Sequence, residues 1–440
     1  MLTFTPLPSM FAISQLRLCI AILGIVMLAG CAGRKGFRGP PSPAAAGVHA
    51  NNLIDPVEQG QVAKATGVDE FYKLMMRVRE ENRPAVPPPK RAVLCLSGGG
   101  SYGAYSAGVL CGWTQCGGRP QFDVVTGIST GALIAPFAFL GSRYDPLMKE
   151  FYTTLSRKDV LRAKPIRGLF SEAFADNTPL ANQIDKVLTE EVIREIAVEH
   201  SRGRRLYVGT TEIESRRFVV WDIGAIACRG RPCDRETIKR ILLGSSAIPG
   251  VFPPAEIEIE ADGQIFVEKH SDGGVSQGLF FAPPFVPPGL AETSDGRSLY
   301  GSDVYVIVAG KLYSDPKVIK PRALAIAGSN VETVLYAQTR GDLFRLWTYS
   351  TVRGMNFHMT AIPTEFTIPG SAVDFEPKAM TALFDEGVRG VCCGKAWRST
   401  PPGTEPGESP LVRAGTNLIY EPRSLDPRPP EQGTGLLHRR

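Results

Sequence analysis

Phe122-Asp123-Val124-Val125-Thr126-Gly127-Ile128-Ser129-Thr130-Gly131-Ala132-Leu133-Ile134 is the stretch that decides how this chain is read. Gly127-Ile128-Ser129-Thr130-Gly131 is a Gly-x-Ser-x-Gly pentad between two apolar segments, the spacing of a nucleophile elbow. A serine hydroxyl is a poor nucleophile in water. A tight strand-to-helix turn can lift it clear of the backbone and set it beside a base. Gly127 and Gly131, having no Cβ, let the chain bend that sharply. Phe122, Val124 and Val125 supply the strand. Ala132, Leu133, Ile134, Ala135, Phe137 and Leu140 supply the helix, with Pro136 expected near its first turns. Alone, the pentad also fits an ordinary Gly/Ser turn.

Two more segments fit the same chemistry. Acyl transfer from an ester needs a nucleophile, a base and donors for an oxyanion. Upstream, Ala92 to Leu96 read as a short buried strand running into Ser97-Gly98-Gly99-Gly100-Ser101-Tyr102-Gly103. Consecutive glycines let backbone N–H groups converge, so Gly98, Gly99 and Gly100 are the candidate oxyanion loop. A helix through Leu110 and Trp113 then adds its positive end. Downstream, Asp272 follows an apolar strand and precedes Gly273 and Gly274, a placement expected to leave its carboxylate open at a strand end. A carboxylate in direct contact with serine can serve as base without histidine. A D-G-G turn would read the same way.

Two rivals use the same residues. Gly98-Gly99-Gly100-Ser101-Tyr102-Gly103 also matches G-x-G-x-x-G, with Asp123 at the distance a dinucleotide fold requires. That reading leaves Ser129 and the Asp272 motif without a role. An ordinary triad in the order Ser129, Asp272, His358 is the second. His270 and His358 are the histidines placed to serve it, and neither sits in a motif.

Together the glycine loop, the serine pentad and Asp272-Gly273-Gly274, in this order, resemble the patatin-like phospholipase family. Ser245-Ser246-Ala247-Ile248-Pro249-Gly250-Val251-Phe252-Pro253-Pro254 resembles the loop that family carries between its serine and its aspartate. The resemblance covers roughly residues 91–390. It implies an α/β three-layer sandwich, with a mostly parallel central sheet and helices on both faces. It also implies a lipid acyl hydrolase with a Ser129–Asp272 dyad, the Gly98–Gly100 oxyanion loop and no metal or organic cofactor. The family carries Arg or Lys before the last glycine of its loop, where this chain has Tyr102. That departure keeps a second class open, a lipid-binding or scaffold lipoprotein with little turnover.

The rest of the sequence supplies context. The chain has 440 residues, 43% of them hydrophobic, enough for a large core. A net charge of +5 is too mild for a nucleic-acid binder, and no basic stripe with interleaved aromatics appears. Arg17 precedes an apolar run from Leu18 to Leu28 that is too short for a transmembrane span. Leu28-Ala29-Gly30-Cys31 follows and resembles a bacterial lipobox, with Met10 a plausible start. Residues 1–30 are thus expected to be a lipoprotein signal and Cys31 the lipidated residue. That predicts an envelope protein anchored to a membrane and facing the periplasm, with Ala32 favouring the outer membrane. Membrane lipids and acyl esters are its expected partners.

Residues 31–90 are expected to hold the anchor, a Gly/Pro/Ala-rich tether with Arg34, Lys35 and Arg38, and an amphipathic helix over 68–81. Residues 91–398 form the catalytic domain, and 399–440 a disordered tail rich in Pro and Gly. Helices are expected at 235–243, 325–346 and 376–390, and Thr178 as an N-cap with Pro179 behind it. Leu206 to Thr210 and Phe218 to Trp221 read as alternating strands, and Val304 to Val308 as a buried one. Among nine cysteines none is spaced Cys-x-x-Cys, which argues against zinc. Cys95 reads as inert core, and Cys228 with Cys233 as a small disulfide loop. Phe280, Phe281 and Phe285 are candidates for acyl-chain contact or for plain core.

Overall fold

The computed structural model describes residues 68–164, 172–281, 299–315, 317–404 and 408. The expected signal, Cys31, the tether, Phe285 and most of the 399–440 tail lie outside those residues.

Ten strands are described. Five of them, β10 (Asn356–Ala361), β9 (Asp303–Val308), β1 (Ala92–Leu96), β2 (Val124–Ile128) and β5 (Arg205–Glu212), lie side by side in that order and parallel. β6 (Arg217–Asp222) runs antiparallel along one edge of β5. β8 (Gln264–Asp272) runs antiparallel to β5 and pairs with β7 (Ala255–Ala261) as a hairpin. A separate two-residue pair joins β3 (Arg162–Ala163) to β4 (Ala175–Asp176). Every residue of β1 is buried, as is all of β5 after its first residue. Both strands are covered on both faces, so the alternation expected for 206–210 is absent.

Helices cover both faces, giving the three-layer α/β sandwich. Leu94, Leu96 and Val125 face a core built with Leu110 of the helix Gly103–Gln115 and Ile134 of the helix Thr130–Leu140. Val93, Cys95, Val304 and Val306 face the other way, against Leu343, Leu346 and Trp347 of the helix Ala323–Val352 and Met75 of the helix Val68–Glu81.

Pro136 sits inside the helix Thr130–Leu140, in its second turn and near the first turns as expected. Several other local expectations are corrected. The helix after Asn177 starts at Thr178, so Asn177 and not Thr178 is the cap residue. The helix expected at 325–346 extends over Ala323–Val352. Cys228 and Cys233 are free thiols. The described disulfide joins Cys116 to Cys392, with Cα atoms 5.5 Å apart. It ties the C-terminal ends of the helices Gly103–Gln115 and Pro377–Cys392. Sequence proximity suggested the wrong pair because these helices meet only in the fold. Cys95 is buried and its thiol is pushed up to about 12 by desolvation.

Candidate active site

The site forms where two strands meet end to end. β2 occupies the edge of β5 as far as the pair Ile128–Gly209. β8, arriving from the opposite direction, takes over the same edge at the pair Asp272–Thr210. β6 holds the other edge of β5 from Tyr207 to Glu212, past both junctions. Ser129, the residue after Ile128, and Asp272, the last residue of β8, are therefore brought face to face by pairing to one strand. They are 143 positions apart in sequence order, and no local pattern could have joined them.

Ser129 has φ 55° and ψ −125°. A non-glycine residue held there costs about 1–3 kcal/mol and persists only where its surroundings enforce it. Gly131 presses on the end of β1: a Cβ there would lie 2.5 Å from the Leu96 carbonyl oxygen. The Ser129 N–H donates to Ser245 Oγ at 3.0 Å, and Ser245 Oγ donates to the Gly209 carbonyl at 2.6 Å. Ser246 Oγ reaches the Ser129 carbonyl at 3.4 Å. The two serines at the end of the helix Asp234–Ser245 thus clamp the elbow to β5. Their loop stood out in the sequence, but nothing local assigned them this task.

Asp272 is 7% exposed, so the expectation of an open carboxylate fails. Its carboxylate accepts a hydrogen bond from the Gly274 N–H at 2.7 Å, and the Ser129 side chain is near enough to favour its charged form. Its own N–H donates to the Ala247 carbonyl at 2.9 Å. Burial pushes its carboxyl from 3.8 up to about 6, with Ser129 and the Gly274 N–H pulling the other way. A base with that pKa is ionised at neutral pH and close enough to pH 7 to accept and return a proton.

Gly98 lies against the serine. A Cβ on Gly98 would sit 3.0 Å from Ser129 Cβ and 3.7 Å from its Oγ. Among the described residues, the amides of Gly98, Gly99 and Gly100 have no protein acceptor, whereas the next amide, Ser101 N–H, donates to the Ala372 carbonyl at 2.8 Å. The N-terminus of the helix Thr130–Leu140 adds positive potential at the same point. Tyr102 is half-buried, and its hydroxyl donates to the Gly370 carbonyl at 3.2 Å, so that position brings no cation.

An apolar pocket opens beside Ser129, between Leu133, Phe151, Leu180, Ile248, Phe252 and Met380. Leu133, Phe151 and Tyr152 also border a second apolar cavity, deeper among the helices and walled by Ile184, Leu188 and Leu242. Phe280 is buried against Ile128, Tyr207 and Phe218, and Phe281 packs on Tyr349; neither lines these cavities.

Neither histidine is placed for a triad. His270 is fully buried, with Nδ1 engaged by Thr210 Oγ1 at 2.9 Å and Nε2 by Glu268 at 3.1 Å. His358 pairs with Asp303 at 3.1 Å and stacks on Tyr305. Its register partners across the sheet are Tyr305, Leu94 and then Val125. It is three strands from β2, about 14 Å at the usual strand spacing, and level with a residue four positions before Ser129. The dinucleotide rival fails on position too. Asp123 precedes β2 and accepts the Ala92 N–H at 2.8 Å, whereas a ribose-binding acid belongs at the strand's carboxyl end.

The model of the patatin-like phospholipase family matches residues 94–284. An Escherichia coli protein named cUMP-AMP-activated phospholipase is 38% identical over 95 residues, which make up 20% of this chain and 29% of that protein. The chain thus matches less than a third of that relative's length. The crystal structure of VipD from Legionella pneumophila overlaps 72% of this chain and 68% of that one, at 12% identity and a TM-score of 0.35. The segment that holds the glycine loop, the serine elbow and Asp272 is thus the one that matches the patatin-like phospholipase family.

Proposed function

We propose that the chain is a serine acyl hydrolase of membrane lipids, of the phospholipase A or lysophospholipase type, working with a Ser129–Asp272 dyad. The observation that carries this reading is the meeting of Ser129 with a buried Asp272 on one edge of β5, where burial pushes the carboxyl up to about 6. Ser129 Oγ attacks the ester carbonyl carbon while Asp272 takes its proton. The oxyanion of the tetrahedral intermediate accepts from the free amides of the Gly98–Gly100 loop. Losing one donor of this kind typically costs about 100- to 1,000-fold in rate. The intermediate collapses, and the leaving alcohol takes the proton from Asp272. Water then attacks the acyl-serine, Asp272 accepts the water's proton, and the fatty acid leaves as the proton returns to Ser129. The apolar pocket beside Ser129 receives the acyl chain. Lipid on Cys31 holds the enzyme at the envelope membrane that supplies its substrate.

A fluorophosphonate probe tests the reading. Wild type takes the label and Ser129→Ala does not, and phospholipid vesicles release fatty acid only with wild type. A folded wild type that takes no label sinks the proposal in favour of a lipid-binding lipoprotein, the reading that Tyr102 supports.

A further inference from the structure

The helix Ala323–Val352 has 30 residues and so extends about 45 Å. It ends next to the start of β10 and lies along the sheet through Leu343, Leu346 and Trp347, antiparallel to the strands. β10 has 6 residues and covers only about 20 Å. The helix therefore overshoots the sheet. It does so at the carboxyl end of the parallel strands, the end that carries Ser129 and Asp272.

From residue 325 to residue 341 no side chain of this helix is buried. Ile326, Val331, Val334 and Leu335 are 47%, 61%, 63% and 47% exposed. Val331, Val334 and Leu335 share a face with Ala327, and Ile326 adds to the tip. Over residues 323–339 the one charged residue is Glu332, which pairs with Lys317. Just before the helix come exposed Val318 (58%), Lys320 and Arg322. Among the described residues, neither of these two cations makes an ion pair. The acids Glu256, Glu258, Glu260 and Asp262 lie on the β7–β8 hairpin, at the opposite end of the strand order. No described helix is long and apolar enough to cross a membrane.

An exposed apolar stripe of this size calls for a cover. An exposed aliphatic helix face with cations at its tip suits the boundary between headgroups and acyl chains. We propose that residues 318–340 form a lipid-docking surface for membranes that carry anionic headgroups, seating the chain with its catalytic end toward the lipid. Lys320 and Arg322 meet the headgroups, the aliphatic side chains enter the interface, and the acidic hairpin is held away from it. The purpose of this surface rests on the acyl-hydrolase reading, but its test does not.

The test is vesicle sedimentation of the full chain carrying Ser129→Ala, to remove turnover, and Cys31→Ser, to remove any acyl anchor. The probes are phosphatidylcholine vesicles and vesicles of equimolar phosphatidylcholine and phosphatidylglycerol. The parent protein binds the anionic vesicles more tightly. Replacing Ile326, Val331, Val334 and Leu335 with serine weakens binding to both vesicles by roughly 100-fold, as expected when four aliphatic side chains stop entering the interface. Lys320→Glu with Arg322→Glu weakens binding roughly tenfold or more, on the anionic vesicles alone. On a Ser129-intact background the serine variant still hydrolyses a soluble short-chain ester at the parental rate and loses activity on vesicles. Parental sedimentation of the folded serine variant overturns the proposal. So does a dimer in analytical ultracentrifugation that the serine substitutions dissolve, because a second copy would then be the cover. If the soluble ester is not cleaved while the vesicle results hold, the catalytic reading fails and the docking surface stands.

Discussion

Replacing Asp272 with asparagine should make the protein more stable at neutral pH while disabling it. Asparagine keeps the shape of the side chain and an oxygen for the Gly274 N–H, and removes the charge. The Asp272 carboxyl rises from 3.8 in the unfolded chain to about 6 in the fold, with burial the largest cause. At 1.36 kcal/mol per pH unit, ionising it costs about 3 kcal/mol more in the fold than in the unfolded chain. Because the folded pKa is raised, the stability this carboxyl contributes is fully present below about pH 4. It fades as pH rises through about 6, where the folded state also becomes ionised. The asparagine variant has no such dependence. Its stability relative to wild type should therefore grow by about 3 kcal/mol between pH 4 and pH 7.5. Urea unfolding of both proteins across that range measures the difference. Turnover of a short-chain ester should fall by about 100- to 10,000-fold, the usual worth of a general base. A stability difference that stays flat with pH, or that turns in favour of wild type as pH rises, would refute the argument that Asp272 is held by burial rather than by a neighbouring cation.

Three more outcomes follow from the same geometry. The pH profile of kcat/KM on a soluble ester should rise through about 6 and level off by neutral pH, since Asp272 must be ionised to act; a limb near 4 would mean that the base is solvated. His358→Ala should leave turnover within about threefold of wild type, because its ring is committed to Asp303 and Tyr305; a loss of more than about 1,000-fold would restore the triad. Cys392→Ser should lower stability by about 2–4 kcal/mol in urea unfolding, as loss of a long-loop disulfide does. Thiol titration of native wild type should meanwhile label Cys228, Cys233 and Cys393, and silence at Cys228 and Cys233 would revive the local pairing.

The sequence by itself determined the local pieces. An apolar run, a Gly-x-Ser-x-Gly pentad and a second apolar run read as strand, elbow and helix once the glycine loop and the Asp272 motif are set beside them, although the pentad alone also fits a plain turn. The glycine loop after β1 was legible in the same way. What each piece faces was not. Asp272 looked like a carboxylate left open at a strand end; it is buried because β8 ends where β2 ends, on one edge of β5. Ser245 gave no sign that it would brace the elbow, since its two partners come from distant segments. Cys116 found Cys392 and not a near neighbour because two helices packed together. Asp123 had the spacing of a ribose-binding acid but lies at the wrong end of β2. Backbone chemistry acts over a few residues and is written in order along the chain. Strand pairing and helix packing act across the fold, and they alone turned Ser129, Asp272 and Gly98 into one site.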